Sequence, residues 1–300
     1  MLTKNTAYAA FLVLGLIWGS NFIFVKWAAL LITPGQIVLL RVLFGFIPVA
    51  GYGIATGALK WRHVRYAHHF LVMSILATAI YYFAFAKGTA LLLSSVAGML
   101  SGAIPLFTFA CAWIFLRQEP LNRRSAFGVI LGFLGVLLIA RPWNAAADHV
   151  NLTGVLYMIA GSMSVGCSFV YARKFISPLN LPAVALTTYQ IGLALLILVM
   201  VTNLTGISLV FSDTRAWTGL VFGLGLCGTG LAYIIYYFIV EKLGAVAASG
   251  VTYIPPVVAL TIGVVGVGEG LHWADVVSMA LILSGVAVLQ SARRPTPLLP

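Results

Sequence analysis

The residues with chemistry to offer are polar and aromatic groups set into apolar sequence, and their types point to binding rather than bond-making. Trp18, Ser20 and Asn21 lie close together in an early apolar run, Tyr81 and Tyr82 in a later one, and Ser164 and Ser168 in another. Tyr233, Tyr236 and Tyr237 stand at i, i+3 and i+4, on one face of a helix. A tyrosine facing a wet cavity can hold the polar end of a ligand, whereas one facing lipid wastes its hydroxyl. Belting at a membrane interface is the other reading for those nearest helix ends. Ser20, Asn21, Ser164, Ser168 and Gln190 either donate to a ligand or bridge helices. Gly98 and Met99, with Ser101 and Gly102, precede Pro105, while Ser249 and Tyr253 precede Pro255 and Pro256. Small residues there either leave room for a ligand or let helices touch. The candidate binding set is Trp18, Ser20, Asn21, Tyr81, Tyr82, Gly98, Met99, Ser164, Ser168, Tyr233, Tyr237, Ser249 and Tyr253.

Acid–base, metal and nucleotide chemistry find little support. No Asp, Glu or His falls in the middle of an apolar run, where a proton relay would sit. His63, His68 and His69 form the only histidine group, on a basic stretch; an intramembrane lipid- or isoprenoid-modifying enzyme is the reading they would serve. Cys111, Cys167 and Cys227 are odd in number and lack metal-ligand spacing. Gly223-x-Gly225-x-x-Gly228 matches a dinucleotide fingerprint but follows no strand. No Walker motif is present, so ATP-driven pumping is excluded, and no cofactor is expected.

The elements that must position these groups are membrane helices. The 300 residues are 62% hydrophobic and 8% charged, with a mean hydropathy of +1.07. A soluble domain carries roughly 25% charged residues, so this chain is solvated by lipid. About 20 apolar residues cross a bilayer; on that ruler ten spans read 7–26, 35–57, 67–87, 91–116, 124–141, 152–172, 183–205, 216–240, 244–267 and 272–291. The first is expected to be retained, since it runs on through Trp18 and Asn21 without a small-x-small cleavage site. The net charge of +11 forms no single patch that would suit nucleic acid. Lys60, Arg62, Arg65, Arg117, Arg123, Arg124, Arg173 and Lys174 fall on one side, with Lys4, Lys242, Arg293 and Arg294. That bias places both termini in the cytoplasm.

The chain is also doubled. Pro105 and Glu119 recur as Pro255 and Glu269 at a constant shift of 150 residues, with Leu93 on Leu243, Ala97 on Ala247, Gly135 on Gly285 and Val136 on Val286. Gly19-Ser20-Asn21-Phe22 falls on Gly166-Cys167-Ser168-Phe169 at a shift of 147. The repeats are expected over residues 1–145 and 146–295. Five spans is an odd number, so the second copy enters the membrane from the opposite side. The fold class is therefore an all-α integral membrane protein, ten transmembrane helices in two inverted five-helix repeats around a central cavity. Such repeats supply the two near-equivalent arrangements that alternating access requires.

Trp18-Gly19-Ser20-Asn21-Phe22, the proline of the fourth span, the Leu116-Arg117-Gln118-Glu119-Pro120-Leu121 exit and the Gly128, Gly132, Gly135-Val136 helix together resemble the EamA-type branch of the drug/metabolite transporter superfamily. The likeness covers nearly all of residues 7–291. It implies a ten-helix secondary carrier for small organic molecules, with a cavity lined by spans 1, 3, 4, 6, 8 and 9 and supported by spans 5 and 10. Aromatic-rich spans 1, 3 and 8 make it similar to exporters of the aromatic-amino-acid and paraquat type. The second copy departs from the pattern in flanking Glu269 with Gly268 and Gly270, which would loosen that end.

Within this frame Pro105, Pro255 and Pro256 are expected to break their helices and act as pivots, since proline removes a backbone bond and clashes one turn back. Glu119 and Glu269 are expected to anchor helix ends. Gly128 with Gly132 reads as a packing pair. The expected function is non-ATP export of amino acids and related small metabolites, in a bacterial inner membrane, by a monomer or weak homodimer. Two rival readings stand beside it, the membrane enzyme above and a channel-like or assembly subunit.

Overall fold

The computed structural model describes residues 2–116, 122–141, 150–243, 248 and 250–292. Nine helices in them are long and apolar enough to cross a membrane, and a tenth apolar helix is shorter. They are α1 (Asn5–Ala29), α2 (Pro34–Ala55), α3 (Trp61–Leu91), α4 (Ser94–Leu116), α5 (Arg123–Ala140), α6 (Leu152–Leu179), α7 (Ala183–Val201), α8 (Thr214–Leu243), the shorter α9 (Gly250–Gly266) and α10 (Trp273–Ser291). The sequence ruler places all ten. It misses the ends of α3 and α6, where basic residues continue the helix as tight or wide turns at Trp61–Tyr66 and Ala172–Ile176. Long Lys and Arg stems allow this, because they reach water from a helix end.

Local chemistry sets several of the starts. Thr33 and Gln36 cap α2 reciprocally with Pro34 in its first turn, Asn122 and Ser125 do the same for α5, and Asn151 caps α6. Large apolar side chains such as Leu16, Ile47, Ile54, Phe127, Ile130 and Met200 point outward and exposed, as suits a lipid-facing surface.

Glycine contacts reveal the twofold relation between the halves. In the α5–α10 pair, Gly128 packs on Gly285, and Gly135 packs on Ser278. Those are one contact and its copy, since 128 and 278 differ by 150 residues, as do 135 and 285. The same holds for α1 on α9 and α6 on α4, where Gly19 meets Val258 and Gly166 meets Thr108. A Cβ on Gly285 would stand 2.5 Å from the Gly132 nitrogen, so the α5–α10 backbones are as close as they can be. That pair packs beside the bundle and meets it along α4.

Candidate functional site

Two of the central helices are broken. The first segment of α4 ends at Ser101 and the second begins at Ile104, putting Pro105 in the first turn of a new helix. In α9 a tight turn, Gly250–Tyr253, gives way to a helix over Ile254–Thr261, with Pro255 and Pro256 at its start. Proline is well placed at such a start, where its missing N–H has no partner to lose. The broken helices cross in close contact, Gly98 against Ala259 and Gly102 against Pro256.

Beside this crossing lies a polar, aromatic cluster between α1, α2, α3 and α8. The Tyr81 ring packs 5.1 Å from Tyr82 and 4.6 Å from Phe85 between ring centroids. Tyr233 packs against the cluster that holds Tyr82 and stacks on Tyr237 at 6.3 Å. Trp18 lies 6.0 Å from Tyr236. Tyr82 is buried, while Tyr81, Tyr233, Tyr237 and Trp18 retain solvent-accessible surface. Asn21 is buried, and its Oδ1 has no hydrogen-bond partner. The guanidinium of Arg41 sits 4.0 Å over the Tyr82 ring, and its Nε donates to Thr229 Oγ1 at 3.0 Å.

The glycines of α8 make room for this arrangement. Residues 219–231 wind as wide π turns; Phe24 of α1 rests on Gly219 and Gly223, Phe44 of α2 on Gly225, Asn21 on Gly228 and Pro48 on Gly230. The apparent dinucleotide fingerprint is thus a set of seats for side chains of α1 and α2.

The other candidates take different places. Ser20 and Ser168 donate to the carbonyls of Ile17 and Val165 on their own helices, at 2.9 and 2.7 Å. Ser164 bridges from α6 to the Leu76 carbonyl of α3 at 2.7 Å, and Gln190 bridges from α7 to Thr78 at 2.9 Å. Gly98 and Met99 are enclosed by the α4–α9 contact and the surrounding apolar core. Tyr253 packs against that core with its hydroxyl buried and unpartnered. Ser249 and Glu119 lie outside the described residues. His69 Nδ1 is 2.7 Å from the Tyr171 hydroxyl, and no metal-binding group of three is found among the described residues.

Glu269 is engaged at one end of the bundle. Its carboxylate accepts from Ser94 N at 2.8 Å, Ser94 Oγ at 2.7 Å and Ser95 N at 2.9 Å, at the start of α4. A carboxylate there meets free amides and the positive end of the helix dipole. Gly268, at φ 74°, supplies the left-handed turn that swings Glu269 back. The glycine expected to loosen this end makes the contact possible. Burial pushes the Glu269 carboxyl up, but the bonds from Ser95 and Ser94 together outweigh it and hold it below its ordinary value. Lys26 closes the same corner, donating to the carbonyls of Leu92 at 2.5 Å and Ala90 at 3.2 Å.

Arg41 is the site residue that sequence reasoning misses. Its position near the start of α2 reads as the membrane surface, and the length of its side chain carries the charge inward. The available signal is a lone arginine seven residues inside an otherwise apolar span.

Doubled five-helix units, twofold-related glycine contacts and two helices broken at the bundle centre define a membrane transporter built from inverted repeats. The chain belongs to the EamA-like transporter family, which it matches over residues 5–141 and again over 152–290. It is 25% identical over 284 residues to an uncharacterised transporter of Archaeoglobus fulgidus, covering 92% of this chain and 95% of that one. It is 23% identical to the protein PecM of Dickeya dadantii, covering 91% and 89%. It is also 23% identical to the inner membrane transporter YedA of Escherichia coli, covering 65% and 61%. One solved structure shares the fold with a TM-score of 0.57 at 20% identity, covering 95% of this chain and 96% of that one.

Proposed function

We propose that the chain is a secondary carrier that exports amino acids and related small metabolites by alternating access, without ATP. The observation that carries this reading is the matched break in α4 and α9, helices of opposite halves that meet at the breaks. Inverted copies have two near-equivalent packings, and broken helices at their junction give each half a pivot. Trp18, Asn21, Tyr81, Tyr82, Tyr233 and Tyr237 then face the substrate beside the pivots. On this reading the repeats span 1–145 and 146–295, and the protein works in the inner membrane as a monomer or weak homodimer. Both termini lie in the cytoplasm, as the basic bias directs, so the Glu269 contact holds the outer ends of α4 and α9 together.

The test is flux in liposomes carrying the purified protein, measured over a panel of amino acids and small metabolites. Saturable uptake stimulated by substrate on the far side is expected. Absence of protein-dependent flux across the panel sinks the reading.

A further inference from the structure

Arg41 carries a charge into the bundle with nothing of opposite sign among the described residues to meet it. It stands seven residues beyond Pro34, roughly 10 Å along the helix at 1.5 Å per residue, and it bonds Thr229 near the midpoint of α8. An ionised side chain at that depth is costly unless something pairs with it. Every described acidic residue is engaged elsewhere. Asp275 pairs with Arg141, Glu241 with Lys242, Glu269 caps α4, and Asp213 caps α8 through the Ala216 amide. Glu119 and Asp148, outside the described residues, fall in sequence between α4 and α5 and between α5 and α6.

A guanidinium has five N–H donors in a planar fork. Among the described residues only the Nε donor is used, on Thr229, while one face of the guanidinium rests on the Tyr82 ring. The paired Nη edge, a part that grips a carboxylate through two parallel bonds, has no acceptor among the described residues. Arg41 also retains some solvent access, which a purely structural cation packed between helices would not need.

A second unpaired atom lies nearby. Asn21, 8% exposed, holds its unpartnered Oδ1 against Gly228, the residue next to Thr229. A free donor edge beside Tyr82 and a buried free acceptor on Asn21 are complementary to a small molecule that carries a carboxylate and an N–H donor.

We propose that Arg41 is the carboxylate-binding residue of the transport site, and that Asn21 Oδ1 accepts from a donor group on the same substrate. The proposal rests on the carrier reading above and names the substrate class of that site. It also accounts for a cation retained in a bundle whose described carboxylates all lie at helix ends.

The experiment compares liposome flux of small amino-acid carboxylates, their primary amides and phosphate monoesters of similar size, for wild type, Arg41→Lys and Arg41→Gln. Folding is followed by size-exclusion profile and thermal unfolding, and binding by the rise in melting temperature each compound gives. Wild type is expected to carry carboxylates at least tenfold faster than amides. Arg41→Gln should lower carboxylate flux tenfold or more and bring the ratio near one, with Arg41→Lys between. Amides carried as well as carboxylates, a ratio unchanged in folded Arg41→Gln, or a preference for phosphate esters overturns the assignment and leaves the carrier reading standing. Absence of flux and of ligand-induced stabilisation for every compound overturns both.

Discussion

Glu269 caps α4 from the far end of α9: its carboxylate lies 2.9 Å from the amide nitrogen of Ser95. Two helices from opposite halves are thereby joined end to start, and Lys26 ties the neighbouring end of α3 to α1. Removing the charge with Glu269→Gln leaves Ser94 and Ser95 with weaker acceptors and should cost about 1–3 kcal/mol. If this contact holds the outer end shut, Ser95→Cys in a background lacking the native cysteines should react faster with a membrane-impermeant maleimide once Glu269→Gln is added. Ser95 is 2% exposed while the contact is made, so its labelling reports the opening of this end. An unchanged labelling rate would remove the gate from the mechanism.

The same contact sets a pH dependence. The Glu269 carboxyl is held below its ordinary value of 4.5 in the folded protein, so its ionised form favours folding. That stability is present above about pH 4.5 and is lost as pH falls through the folded-state value. Thermal unfolding of detergent-solubilised protein should therefore show a fall in midpoint below pH 4.5 that is smaller in Glu269→Gln. Parallel acid profiles for the two proteins would exclude Glu269 as its source.

The α5–α10 support depends on glycine at the crossing. A side chain at Gly285 meets the backbone of Gly128 and Gly132, which cannot rotate away. Gly285→Leu should cost about 3 kcal/mol or more. Gly51 of α2 has nothing within 4 Å of a built Cβ, and Gly51→Leu should change stability by less than about 0.5 kcal/mol. Melting temperatures of the two variants give the comparison.

How far the sequence could be read follows from what each feature depends on. Span positions depend on runs of apolar residues, and the inverted repeat on pairs such as Pro105 with Pro255, so both were legible. Gly128 with Gly132 reads as a packing pair because small residues at helical spacing have few other uses, but the spacing does not name Gly285 as the partner. Side-chain direction was less accessible. Ser164 and Gln190 bridge helices, while Asn21 has its Oδ1 free, and nothing in residue type separates them. Arg41 is hidden because its side chain, and not its backbone position, sets how deep its charge lies. Gly268 was misread because its role depends on a positive φ, which composition does not reveal.

Cys111 of α4 and Cys167 of α6 hold their sulfurs 3.3 Å apart. A disulfide needs about 2.05 Å, so a small approach suffices for oxidation to join the helices. Copper phenanthroline should remove two hydrogens from the protein mass and lower flux at least fivefold, with both reversed by dithiothreitol. Cys111→Ala should be insensitive. Full flux in the crosslinked protein would mean that α4 and α6 keep this contact through the whole cycle.

The prolines allow the sharpest separation of mechanism from stability. Each of Pro105 and Pro255 stands in the first turn of the second segment of its helix, where proline is compatible with the fold. Replacing either with alanine should change stability by less than about 1 kcal/mol. Alanine restores the missing N–H and permits one continuous helix, in α9 only when Pro256 is replaced as well, so the break loses what enforces it. If the breaks are pivots, Pro105→Ala and Pro255→Ala, both made in a Pro256→Ala background, should each lower the maximal flux at least fivefold with little change in the substrate concentration for half-maximal flux. Substrate still meets the tyrosine cluster, but the halves exchange packings more slowly. The double variant should be slower than either single one, because the twofold relation makes the two breaks parts of one motion. Normal turnover in a folded double variant would show that the breaks only shape the packing of α4 against α9.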